Sequence, residues 1–157
     1  MNDPWPMKRV DVLVSNDEPS LPEKIMYGRH QLCVLHGLKR LGFILWNDPV
    51  SLDERREALE AVKIPLFTLV RSIEKHLVDW DVGRLRWRIE WTLMRLGEAA
   101  MGLRLRGYTK AARFLERHAG FMMAFTELAL EGVVVPYSTN RVERVIGKVA
   151  KRFCGAV

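Results

Sequence analysis

A chain of 157 residues with a formal net charge of +6 is of single-domain length, long enough to close a core without disulfides or a structural metal. Hydrophobic residues at 48% and charged residues at 28% exclude a disordered polymer. The two cysteines, Cys33 and Cys154, exclude a disulfide framework, and no apolar run reaches signal-peptide or membrane-span length. The expected setting is therefore cytoplasmic, with no membrane partner. The basic balance, carried mostly by arginine, favours a polyanionic partner, of which DNA is the commonest kind.

The run Val10 to Val14 is β-branched and stops at the turn cluster Ser15-Asn16-Asp17-Glu18-Pro19, which predicts one buried strand with polar residues at its C-terminal end. Ligands of open α/β sheets favour that position. The stretch "HQLCVL" reads as a second short strand or as the start of the next helix. His36 to Trp46 follows as a helix that ends before Asp48-Pro49. Ser51 and Glu54 have capping-box spacing, and Pro65 is expected to separate their helix from "LFTLVRSIEKHL". In the next helix, Leu85, Ile89, Leu93, Leu96, Ala100 and Leu103 form one apolar face. Trp87, Trp91, Met94 and Met101 form a second stripe, so packing on two sides is expected, with a stop at Gly107. "TKAARFLERHAGFMMAFTELAL" predicts one or two helices, the second case breaking at Gly120, and "VVVP" an extended stretch. A lone strand leaves its edges unpaired. The chain is thus either essentially all-helical or part of a larger sheet-containing fold.

The last predicted helix follows "YSTN". At about 100° per residue, Val142, Val145, Ile146, Val149 and Phe153 share one face. Arg141, Arg144, Lys148, Lys151 and Arg152 lie roughly opposite. Asn140 as N-cap with Glu143 three residues on makes a capping pair, and a first-turn carboxylate suits the helix dipole. Glu143 also has the placement of a metal ligand beside a buried face. Two-metal phosphoryl transfer then needs partner carboxylates from a distant segment, at a strand end.

Three segments together resemble DDE transposases of the Mutator-like type, which have an RNase H-like catalytic domain. "TNRVERVIGKVAKR" is similar to the segment around that family's final glutamate. "HQLCVLHGLKRL" is similar to its Cys-x-x-His segment, here Cys33 and His36 after His30-Gln31. "VLVSNDEPSLPEKI" is similar to the strand that ends in its second aspartate. The blocks occur in the family's order and span nearly the whole chain. The resemblance implies a mostly α chain with a short β remnant: a truncated RNase H-like α/β core over about 8–48 and 133–157, interrupted by an all-helical insertion over about 50–131. It implies Mg²⁺- or Mn²⁺-dependent DNA nicking and strand transfer in DNA transposition. Asp17 and Glu143 would be catalytic metal ligands. Asn140, Arg141, Arg144, Lys148 and Lys151 would contact DNA, with Cys33 and His36 near the active site. A gapless match puts Asn16 in the acidic position and Asp17 where glycine is usual, and an amide is a poorer Mg²⁺ ligand than a carboxylate. The family's first aspartate, on an earlier strand, has no counterpart before Val10. The expectation is a fragment inactive alone, completed by a second copy or by a chain supplying the N-terminal half.

Other constellations are weaker. Cys33-x-x-His36, with His30 nearby, lacks the second ligand pair of a structural zinc site. "RLRWRIEW" interleaves arginine with tryptophan, which serves either a nucleic-acid grip or an ordinary division of surface from core. His76 and His118 show no partner in sequence, and no nucleophile elbow is present. A reading from another class is a small basic helical module that binds DNA or a protein without catalysis, Glu143 being only a cap.

Overall fold

A computed structural model describes residues 10–16, 27–79, 81–133 and 135–140. The proposed ligands Asp17 and Glu143 lie outside these residues, as do Arg141, Arg144, Lys148 and Lys151. The chain is mostly helical with two short parallel strands. Strand β1 is Val10–Ser15 and strand β2 is Tyr27–Leu32. They pair in parallel, from Val10 opposite Tyr27 to Ser15 opposite Leu32. Among the described residues these helices follow: α1 (Val34–Asn47), α2 (Leu52–Asp79), α3 (Val82–Leu105), α4 (Thr109–Met122) and α5 (Ala124–Leu130). The described residues between 50 and 131 contain no strand.

The helix ends follow local chemistry. Ser51 and Glu54 form the predicted capping box: Glu54 N donates to Ser51 Oγ at 3.2 Å and Ser51 N to Glu54 Oε2 at 3.2 Å. The bonds from Ser51 hold the Glu54 carboxyl below its ordinary pKa. Helix α3 stops at Gly107, which takes φ +88°, a conformation that costs glycine little. Tyr108 N then donates to Leu103 O at 2.9 Å and Gly107 N to Arg104 O at 3.1 Å, the Schellman pattern. Gly132, at φ +85°, closes α5 in the same way.

Two expected breaks are displaced. Pro65 does not divide a helix, because α2 runs unbroken from Leu52 to Asp79 through it. Proline removes one N–H, and here the adjoining Val62, Leu66 and Leu69 are fully buried, so tertiary packing holds the backbone helical across the missing bond. Nor does Gly120 break the fourth helix, which continues to Met122 and turns at Met123.

One core joins the layers. It contains Leu32 of β2, Val34, Leu41 and Leu45 of α1, Val62, Leu66 and Leu69 of α2, Leu85, Leu96 and Leu103 of α3, and Leu115 and Met122 of α4. Helices α2 and α3, joined by a short link, pack as antiparallel neighbours, and α4 packs on α3 and on α1. Helices α4 and α5 cover β2. A Cβ on Gly37 of α1 would collide with Met122 Sδ of α4, so a larger residue there would require the methionine side chain to move.

The expected faces of α3 need correction. Leu85, Leu96, Ala100 and Leu103 are buried as expected, but Leu93 is exposed. The second stripe is not packed on a neighbour: Trp87, Met94 and Met101 are exposed and Trp91 is half-buried. Leu93 sits at the border of a core face narrower than the run of leucines suggests. No helix among the described residues is long and apolar enough to cross a membrane.

Candidate functional site

The C-terminal ends of the two strands coincide, because Ser15 pairs with Leu32. The pairing extends one residue further, where Cys33 N donates to Ser15 O at 2.7 Å. Cys33 is then the N-cap residue of α1 and makes no side-chain cap bond. A helix start leaves N–H groups without intrahelical acceptors. Here a remote segment supplies one: Val34 N donates to Tyr137 O at 2.9 Å. Two residues on, Thr139 N donates to Cys33 Sγ at 3.4 Å. Asn140, the last described residue, is helical.

Residues 135–140 are thus fastened at the strand ends. Val135 and Tyr137 pack on the core, and the Tyr137 ring meets Phe67 edge-on at 6.3 Å. His36 Nδ1 lies 3.2 Å from Cys33 Sγ. That contact is satisfied by the thiol donating to nitrogen or by the ring N–H donating to sulfur. Cys33 is 1% exposed. The sulfur therefore acts as a buried acceptor that holds the backbone at Thr139, a structural role. No group of three or more His, Cys, Asp or Glu that could hold a metal occurs among the described residues. Mg²⁺ prefers oxygen ligands, which Cys33 and His36 do not offer. The carboxylates expected from the resemblance, Asp17 and Glu143, lie beyond the described ends Asn16 and Asn140.

Two polar residues of this region were not singled out for a role by sequence. Ser15 is buried, with its Oγ 2.6 Å from His30 Nε2. Gln31 is fully buried and bonds only to backbone: its Nε2 donates to Leu32 O and Met122 O, each at 2.7 Å, and its Oε1 accepts from Phe125 N at 2.6 Å. The side-chain amide replaces helical bonds lost at the α4–α5 turn, which is why the break falls at Met123. The available signal was an amide inside an apolar run, where burial requires partners. His118 finds a local one, its Nδ1 lying 2.9 Å from Phe114 O.

Burial pushes the His30 imidazole below its ordinary pKa. Its ring also lies 5.5 Å from that of Phe121. A histidine with a lowered folded pKa favours the neutral form in the native state. The unfolded chain then binds more protons, so stability is full above the unfolded value of about 6.5 and is lost as pH falls through the folded value. Unfolding free energy measured from roughly pH 7.5 down to 5 should decline, and His30→Gln should flatten that decline. An unchanged slope in the variant would assign the titration to another group.

No family model, no curated protein and no solved structure matches this chain.

Proposed function

We propose that this chain belongs to a DDE transposase of the Mutator-like type, with an RNase H-like core in which Asp17 and Glu143 hold Mg²⁺ or Mn²⁺ and the basic residues after Asn140 hold DNA. One observation carries the reading. The three segments that resemble the family, the last of them more than a hundred residues beyond the first two, meet at the carboxyl ends of the parallel strands through Ser15, Cys33 and Thr139. Open α/β sheets place their ligands at that end. A bound divalent ion there would stabilise charge on the attacking and leaving oxygens of a phosphodiester. The protein's own residues would set the approach of the two carboxylates, through the bonds that tie Thr139 and Ser15 to Cys33. Asn140, Arg141, Arg144, Lys148 and Lys151 would neutralise and orient the DNA backbone.

Two measurements test this. Mn²⁺ added to isotope-labelled protein should broaden the amide signals of Asn16, Thr139 and Asn140, and Glu143→Gln should abolish the effect. Broadening elsewhere, or none, removes the metal site. Duplex DNA should bind with an affinity that falls as salt rises, since lysines and arginines displace counterions. Alanine at Arg144, Lys148 and Lys151 should reduce the salt slope by up to about three contacts' worth. No binding at low salt would exclude DNA as the partner.

The alternative of a non-catalytic interaction module is favoured by one feature, the uncovered apolar face of α3. In that reading Glu143 caps a helix, and Glu143→Gln leaves every ligand unaffected.

A further inference from the structure

Helix α3 turns one face to the core and a second apolar face outward. Trp87, Met94, Met101 and Leu105 mark it, with exposures of 58%, 54%, 63% and 82%. Their spacing of seven, seven and four residues keeps them on one stripe, about five turns long. Scattered exposed apolar residues need no explanation, but a continuous stripe marks an interaction site. Gly97 lies at its margin, exposed, and a Cβ there would meet nothing within 4 Å. A glycine inside a helix costs about 1 kcal/mol against alanine, and no contact among the described residues offsets that here. It allows close approach of another backbone. A groove of about 370 Å³ between α2 and α3, floored by Ala58, Pro65 and Gly102, opens beside Trp91 and Arg95.

Charge selects the occupant. Helix α3 carries Arg84, Arg86, Arg88, Arg95 and Arg104 against Glu90 and Glu98, with no lysine. Arg88 lies over the rings of both Trp87 and Trp91, 4.9 Å from each centroid. The ion pairs Arg84–Asp81, Arg95–Glu98 and Arg104–Glu116 are solvent-exposed, so each is weak and gives way at small cost. Tryptophan, methionine and arginine are the residues enriched in protein interfaces, where lysine is depleted. A second copy would set arginine-rich flanks against arginine-rich flanks, and like charges in contact oppose pairing. We infer that the outward face of α3 is a docking surface for an acidic amphipathic helix of another protein, its apolar residues on the Trp87–Leu105 stripe and its carboxylates on the flanking arginines. The inference is independent of the transposase reading.

The probe is a synthetic 21-residue helix with leucine at heptad positions a and d and glutamate on both flanks. Its binding to the full chain is measured by fluorescence anisotropy, against a peptide of identical composition in scrambled order. The ordered peptide should bind at least tenfold more tightly than the scrambled one. The double variant Met94→Glu, Met101→Glu should weaken binding tenfold or more. Arg86→Ala with Arg88→Ala should weaken it several-fold and reduce its salt dependence. All these positions are on the surface, and an unchanged melting temperature in each variant confirms an intact fold. Equal binding of the scrambled peptide, or an unaffected double variant, overturns the proposal. So does a concentration-dependent dimer that Met94→Glu dissociates, which would make a second copy the occupant. Preferential binding to phosphatidylserine vesicles, lost in the double variant, would overturn it in favour of a membrane.

Discussion

Gln31→Met should destabilise the protein by about 4 kcal/mol while conserving side-chain volume. The native amide serves three backbone groups with no exposed surface of its own. Methionine fills the same space but bonds to none of them. Met122 O and Phe125 N are then left at a helix break inside the core, and each unsatisfied buried group costs roughly 1–3 kcal/mol. A loss of this size is a large part of the roughly 5–15 kcal/mol that holds an ordinary domain together. Gln31→Glu separates hydrogen bonding from shape. An ionised carboxylate still accepts from Phe125 N but cannot donate to Met122 O, and its charge is buried. Only the protonated acid reproduces the pair of bonds. Its folded pKa would therefore be raised. The native-like stability would be present below the unfolded carboxyl pKa and lost as pH rises through the folded one. Urea unfolding of both variants at two pH values reads the effect. A cost below about 1 kcal/mol for Gln31→Met would mean that water or a rearranged turn satisfies the backbone instead.

The same amide shows why part of the fold was legible in sequence and part was not. The strand Val10–Ser15, the capping box at Ser51 and Glu54, and the stop at Gly107 are decided by residues close together in the chain, and sequence pattern locates them. The turn at Met123 is decided by Gln31, more than ninety residues away, so local signals pointed to Gly120 instead. Pro65 is a breaker by local rule, but buried leucines on both turns around it keep α2 continuous. The outward stripe of α3 was visible as periodicity. Periodicity does not say whether a partner belongs to the same chain, and here the stripe is exposed among the described residues. At the candidate site, the sequence singled out Cys33 and His36 as a pair but did not predict their mutual contact at 3.2 Å. The bonds of Tyr137 and Thr139 to α1 join segments more than a hundred residues apart, and only the family resemblance suggested that they meet.

Leu66→Ala should cost about 2–5 kcal/mol and should do so for the whole chain at once. Leu66 is fully buried on α2, inside the stretch that the family resemblance treats as an insertion. An insertion with its own core would unfold independently, and the strands and α1 would keep their stability. The packing argues otherwise. Leu66 belongs to the same buried cluster as Leu32 of β2, Val34 and Leu41 of α1, and Met122 of α4. Deleting its isobutyl group removes transfer free energy and leaves a cavity that this dense neighbourhood fills only in part. Because the cluster runs from the sheet to α3, the loss should propagate to the site end of the molecule. The amide of Cys33, bonded to Ser15, reports on the strand ends by hydrogen exchange. The amide of Leu96, in the middle of α3, reports on the helical layer. Under conditions where exchange follows global opening, both should lose protection by the same free energy in Leu66→Ala. Loss at Leu96 with Cys33 unchanged would divide the chain into two cooperative units. It would also mean that the site at the strand ends can be held in place without the helices of residues 52–105.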